Sequence, residues 1–379
     1  MTILVSVLVL AILIFVHELG HFLVARYFNV GVLEFAIGFG KKIWQRKTKE
    51  TTYSLRLIPL GGYVKMLGDD LRAVREGQAV SGSILESVER PDNPGFVNDR
   101  TRWFYSQAIY KRMAIVLAGP FFNYAFAVLL TIFSIYVYGK SVPIDQPLIG
   151  KVIEGYPAQK SGLKEKDFVR TLNGEELKTW EDLASRVASS GGKEIVLAVS
   201  REENGAKKEI EIRVAPKPDA PELKVLEDTP RPDSFKIGIM PDLKRESVGL
   251  FEAVGLGFSQ TYYMVRVTLR GLYGMVARRI SASNIAGPIY IFKEAANSAK
   301  RGFEHVIDFM VFLSISLAVL NLLPVPVLDG GHMLFFTIEA ILRRPLSLKV
   351  QEVCTQVGMF LLLSLMVFAL GNDLVRLLG

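Results

Sequence analysis

The chain has 379 residues, 50% of them hydrophobic, with a mean hydropathy of +0.29 and a formal net charge of +7. That apolar content excludes an ordinary soluble enzyme of this length, and the length allows more than one domain. The basic excess sits in loops beside uncharged stretches, which argues for a membrane surface rather than nucleic acid as its partner.

Thr2 to Val16 carries no charge, and its helical pattern runs on to about Tyr27. No positive segment precedes it and no small-residue cleavage site follows it, so it reads as a retained span and not a signal peptide. Residues 34–66 read as β: Thr51 to Leu60 is rich in β-branched and aromatic residues, punctuated by Gly38, Gly40, Gly61 and Gly62. Residues 67–103 are polar, contain Pro91 and Pro94, and read as a mobile cytoplasmic loop. Met113 to Tyr138 is uncharged and long enough to cross about 30 Å of hydrocarbon.

Residues 145–216 predict a soluble module: a strand at 149–153, a short helix at 158–163, a strand at 167–172, and a tight turn at Asn173-Gly174. A helix over 180–189 follows, then paired strands at 194–200 and 208–214 around Asn204-Gly205. Pro216, Pro218, Pro221, Pro230 and Pro232 mark an extended linker. Residues 248–280 read as an amphipathic helix on the membrane surface, because Glu252, Arg266, Arg270, Arg278 and Arg279 interrupt its apolar residues. Phe309 to Leu328 and Val353 to Asn372 are the third and fourth uncharged spans. The single cysteine, Cys354, excludes an intramolecular disulfide and a CxxC metal site, and reads as a small packing residue.

Lysine and arginine crowd the loop between the first two spans, and Arg343, Arg344 and Lys349 lie between the last two. Such loops face the cytoplasm, so the expected topology puts the N-terminus, the large middle region and the C-terminus outside.

His17-Glu18-Leu19-Gly20-His21 is the central motif. On a helix, residues i and i+4 share a face, so both imidazoles can hold one metal ion with Glu18 placed to take a proton from water. The chain has four histidines, and two fall here. Ionisable residues inside an apolar span are costly and usually functional. A catalytic zinc needs a third protein ligand. Asp329 is the candidate, in Asn321-Leu322-Leu323-Pro324-Val325-Pro326-Val327-Leu328-Asp329-Gly330-Gly331-His332, where the alternate prolines forbid a regular helix. A helix-capping role for Asp329 and a ligand role for His332 are the competing readings, while His305 falls on the far side of the expected topology.

HELGH in a first span with NLLPVPVLDGG in a later one resembles the site-2 protease family, in its bacterial RseP type. Gly38-Phe39-Gly40, Gly61-Gly62-Tyr63-Val64, Ala118-Gly119-Pro120 with Asn123, and Gly287-Pro288-Ile289 extend the resemblance over nearly the whole chain. It implies that His17, His21 and Asp329 bind Zn2+, that Glu18 is the catalytic base, and that Asn321, Pro324 and Pro326 help to position substrate. The β segment resembles the family's membrane-inserted β-hairpin, so Gly61, Gly62, Tyr63 and Val64 would pair with unwound substrate. The 145–216 module resembles a circularly permuted PDZ domain, and the chain has one where the best-known RseP-type enzymes have two.

The expectation is a polytopic α-helical membrane protein of about four transmembrane helices, with a membrane-associated β-hairpin and one inserted extracytoplasmic PDZ domain. Its segments run 1–33 (first span), 34–107 (hairpin and loop), 108–140 (second span), 141–216 (PDZ), 217–305 (linker and interfacial helices), 306–332 (third span) and 333–379 (cytoplasmic turn and fourth span). The implied function is zinc-dependent intramembrane proteolysis of single-span substrates, of the anti-sigma-factor or remnant-signal-peptide class, in the bacterial inner membrane. A membrane zinc protease acting on unanchored chains, and a non-catalytic PDZ adaptor with a vestigial metal site, are the alternatives.

Overall fold

A computed structural model describes residues 2–70, 94–203, 205–218 and 235–378. Most of the predicted 67–103 loop, Asn204 of the predicted turn, and the linker prolines Pro221, Pro230 and Pro232 lie outside the described residues. In chain order the longer helices are α1 (Thr2–Tyr27), α2 (Ile109–Tyr138), α3 (Trp180–Ala188), α4 (Leu250–Val276), α5 (Pro288–Arg301), α6 (Phe303–Asn321), α7 (Asp329–Leu342) and α8 (Leu348–Leu378). The chain forms two compact units, one of Met1–Ser134, Gly255–Thr268 and Ser283–Gly379, the other of Ile135–Val254 and Leu269–Ala282.

In the first unit, α1, α2, α6 and α8 are long and apolar enough to cross a membrane. Helices satisfy their own backbone groups, which is what lets such segments enter hydrocarbon. Val9 and Leu13 of α1 are buried against Met310 and Leu313 of α6. Gly20 of α1 lies against the Ala118 carbonyl of α2, an approach no larger residue permits. Arg112 of α2 is buried and grips Glu339 of α7 with two hydrogen bonds of 3.0 and 2.7 Å, its guanidinium stacked on the Phe336 ring.

The predicted hairpin is more than a hairpin. Strands β1 (Val32–Lys47) and β2 (Thr52–Met66) pair twice, so that Glu34 stands opposite both Thr52 and Lys65, and Phe35 opposite both Tyr53 and Val64. Each strand folds back at glycines of positive φ, Gly38 and Gly40 in β1 and Gly61 in β2. The resulting sheet leaves residues 62–66 paired on one side only among the described residues. Glu34 is fully buried beneath it. Burial pushes its carboxyl up, but hydrogen bonds from Ser54, Arg56 and Tyr63 outweigh that and hold it below the usual carboxylate range.

The span expected over 306–332 is two helices. α6 stops at Asn321, residues 322–328 are non-helical, and α7 begins at Asp329. The two prolines remove amide donors and force the break. Val327 takes a φ of 100°, an unfavourable conformation for a β-branched residue, and the turn tightens further where Gly330 and Gly331 lie on the carbonyls of Leu323 and Val325. The cytoplasmic turn expected after 332 begins as helix to Leu342, followed by a short connection to α8.

The second unit contains strands β3 (Lys140–Pro143) and β4 (Ile149–Val152) and a four-stranded sheet of order β6-β5-β7-β8, from β5 (Phe168–Leu172), β6 (Glu175–Glu176), β7 (Ile195–Glu203) and β8 (Ala206–Val214). Asn173 and Gly174 both take positive φ in the β5–β6 turn, as the Asn-Gly signal predicts. Thr179 and Asp182 form a capping box that starts α3. The core gathers Ile149, Leu163, Val169, Leu183, Leu197 and Ile212. The linker expected from 217 departs from this reading. Ile239–Pro241 pairs with Ile149–Val152, Leu243–Glu246 pairs with Lys140–Pro143, and Ile237 is buried in the same core. The unit therefore extends beyond 216, because the apolar residues Phe235, Ile237 and Ile239 bring the chain back to the sheet.

Candidate metal centre

α1 has helical spacing through HELGH, so His17 and His21 share a face, and their rings meet edge to face with centroids 4.8 Å apart. α7 supplies Asp329 in its first turn. His17 Nε2 lies 3.2 Å and His21 Nε2 3.5 Å from the Asp329 carboxylate, and the two Nε2 atoms lie 3.3 Å apart. One ligand atom from each of the three residues falls within 4.8 Å of the others.

The donor set fits zinc. Two imidazoles and a carboxylate are three of the ligands such a site takes, leaving a position open. His21 Nδ1 stands 2.8 Å from the Ile115 carbonyl, so Nδ1 carries the proton and donates it, and Nε2 keeps its lone pair beside Asp329. Asp329 Oδ2 is buried without a hydrogen-bond partner among the described residues. Two imidazoles and a carboxylate facing one another with little access to water, one carboxylate oxygen making no hydrogen bond, are what a cation satisfies.

These residues line a cavity of about 470 Å³ together with Glu18, Asn321, Leu328, His332 and the edge-strand residues Gly62 to Met66. Glu18 is packed under Gly62: a Cβ on Gly62 would meet the Glu18 side chain. Asn321 ends α6 with its amide nitrogen 3.5 Å from His17 Nε2. Burial, reinforced by the Glu34 charge, pushes the Tyr63 phenol up, so it remains a neutral donor to that carboxylate. Burial likewise takes Tyr105, on the cavity wall, up to about 12.

Of the residues singled out from the sequence, His17, Glu18, His21, Asp329, Asn321, Gly62, Tyr63 and Val64 come together here. Gly61, Pro324 and Pro326 are not among the lining residues: Gly61 lies over the Phe39 ring, and Pro326 packs against Gly331 and Gly358. His332 lines the cavity without belonging to the three-ligand cluster. His305 lies in the first turn of α6, at the opposite end of that helix from Asn321. The sequence reading did not anticipate the wall formed by Lys65, Met66 and Tyr105, nor the packing of Gly119 on both histidine rings.

Among the described residues, four helices of membrane-spanning length and a cluster of two histidines and an aspartate are the features a membrane zinc metalloprotease combines. The chain belongs to Peptidase family M50, the site-2 protease family, whose sequence profile matches residues 5–365. A protein of Agrobacterium fabrum that carries a provisional name as a zinc metalloprotease is 34% identical, covering 98% of this chain and 95% of its own. A similarly named protein of Clostridium acetobutylicum is 32% identical over 98% of this chain and 97% of its own. The regulator of sigma-W protease RasP of Bacillus subtilis is 28% identical over 99% of both chains. Zn2+ is accordingly the expected cofactor, and the spans fit a bacterial inner-membrane protein.

Proposed function

We propose that the protein is an intramembrane endopeptidase that cuts single-span membrane proteins within or beside their transmembrane segment, with His17, His21 and Asp329 holding zinc and Glu18 acting as base. The observation that carries this reading is the convergence of α7 with α1, itself long and apolar enough to cross a membrane, on one cavity.

Bound zinc supplies Lewis acidity to the scissile carbonyl and brings the pKa of water to about 7. Glu18 takes a proton from the attacking water and returns it to the leaving amine. Asn321 offers its amide N–H groups at the His17 side of the cavity, where it orients the substrate backbone. A helical peptide bond hides its carbonyl. The one-sided strand at 62–66 gives an unwound substrate a backbone to pair with, and Gly62, Tyr63 and Val64 then run beside Glu18. Gly61 sets the bend that starts this edge, while Pro324 and Pro326 set the turn that delivers Asp329.

The second unit supports a single permuted PDZ domain, extracytoplasmic by the distribution of basic loops, that binds an extended chain or C-terminus. The substrate class is a span already trimmed on its outer side, such as an anti-sigma factor or a remnant signal peptide. α4, with Phe251, Tyr262, Tyr263 and Tyr273 exposed, fits an interfacial helix.

The test is cleavage of a single-span substrate in liposomes beside the same sequence as an unanchored peptide, with the cut site mapped by mass spectrometry. Cleavage confined to the anchored form and falling in or next to its span supports the reading. Equal cleavage of both forms replaces it with a membrane-bound protease of extramembrane chains.

A further inference from the structure

Asn123 lies at the middle of α2, in a stretch with no charged residue, and is fully buried. A buried amide in a membrane-length helix is costly unless it is used. Its side-chain nitrogen stands 3.3 Å from His17 Nδ1, the ring nitrogen on the side away from Asp329. Its side-chain oxygen, Oδ1, is buried and has no hydrogen-bond partner among the described residues. The backbone there is fixed: the Ser314 hydroxyl, from α6, donates to the Asn123 carbonyl at 2.8 Å. One turn earlier on α2, Gly119 bears on the rings of both histidines.

A neutral imidazole carries one proton and one lone pair. His21 shows how that choice is made, since its Nδ1 proton goes to the Ile115 carbonyl and its Nε2 lone pair faces Asp329. His17 needs an acceptor at Nδ1 for the same outcome. The nitrogen and oxygen of an amide are nearly isosteric, so a half-turn of the Asn123 side chain brings the orphaned oxygen to Nδ1.

We propose that Asn123 is a positioning residue for the metal centre: its amide oxygen accepts the Nδ1 proton of His17, which fixes the ring and leaves the Nε2 lone pair beside Asp329 and His21. The two orientations of the amide correspond to the two tautomers of His17. With the amide nitrogen towards Nδ1, the imidazole proton resides on Nε2 and faces the Asp329 carboxylate, 3.2 Å away. With the oxygen towards Nδ1, the ring is ready for metal. The proposal rests on His17 being a zinc ligand, as argued above.

The experiment measures the affinity of the full-length protein in detergent for zinc alone, by competition with a chromogenic chelator. It compares wild type with Asn123→Leu, Asn123→Asp and His17→Ala, and records the thermal midpoint of each metal-free protein. Asn123→Leu keeps the volume and removes the acceptor, so zinc affinity should fall about 10–100-fold with the metal-free midpoint unchanged or raised. Asn123→Asp retains an acceptor and should bind zinc at least as tightly as wild type. Wild-type affinity in Asn123→Leu, or equal losses in the Leu and Asp variants, would overturn the proposal. His17→Ala separates the two readings: if it binds zinc as wild type does, the ligand assignment itself fails, whatever Asn123 does.

Discussion

The imidazole of His21 rests on Gly119: a Cβ at position 119 would stand well inside 3.0 Å of His21 Nε2 and of the His17 ring. The absence of a side chain there is therefore part of the candidate metal centre. Gly119→Ala should displace one or both rings, lowering zinc occupancy and cutting activity at least 10-fold, the scale expected when a metal ligand's support is disturbed. Gly255→Ala in α4, where nothing among the described residues lies within 4 Å, is the matched control. It should leave zinc content alone and raise stability by up to about 1 kcal/mol. Metal analysis and thermal denaturation of both variants check this.

Glu18 lines the cavity without belonging to the three-ligand cluster. Glu18→Gln preserves shape and removes the base. It should cost about 10²–10⁴ in turnover while zinc content stays at the wild-type level. Turnover near wild type in the zinc-loaded variant would remove Glu18 from the mechanism.

Arg112 and Glu339 join α2 to α7, the helix that carries Asp329. Removing one partner leaves a charge with little access to water, so Arg112→Met alone should destabilise by about 3–5 kcal/mol. Arg112→Met with Glu339→Leu should recover most of that loss, since apolar replacement of a whole buried pair is often neutral. The thermal midpoints of the single and double variants in one detergent decide it.

Glu50, in the connection from β1 to β2, accepts hydrogen bonds from Arg102 and Arg26, and these hold its carboxyl down at about 2. A carboxyl lowered in the folded protein stabilises above its ordinary value and loses that stabilisation as the pH falls towards the lowered one. Glu50→Gln should therefore be less stable than wild type at pH 7, by about 1 kcal/mol given the partial exposure of the pair. The gap should close between about pH 4.5 and pH 2. Denaturation of both proteins across that range tests it, and a gap independent of pH would contradict the assignment.

The gathering of His17, His21 and Asp329 was legible in the sequence where local geometry decides it. HELGH fixes two imidazoles on one helical face whatever surrounds them, and two alternate prolines break a helix in any fold. The β signal at 34–66 was equally local. What could not be read was set by partners distant in the chain. The double pairing of β1 and β2 depends on Glu34 finding Ser54, Arg56 and Tyr63. The return of Ile239–Pro241 to the sheet was hidden among prolines that read as a linker. Gly119 stood in the sequence only as part of a pattern, and its reason is the pair of rings lying on it. Asn123 did carry a signal of its own, a lone amide in the uncharged stretch from Met113 to Tyr138, but its meaning needs His17 beside it.

The most direct test is the zinc content of purified wild type, Glu18→Gln and Asp329→Asn, each assayed on the same single-span substrate in liposomes. Wild type and Glu18→Gln should each hold about one zinc per chain, wild type alone should cleave, and Asp329→Asn should lose both zinc and cleavage. Asp329→Asn that keeps its zinc and cuts at the wild-type rate would contradict the three-ligand centre and turn attention to His332.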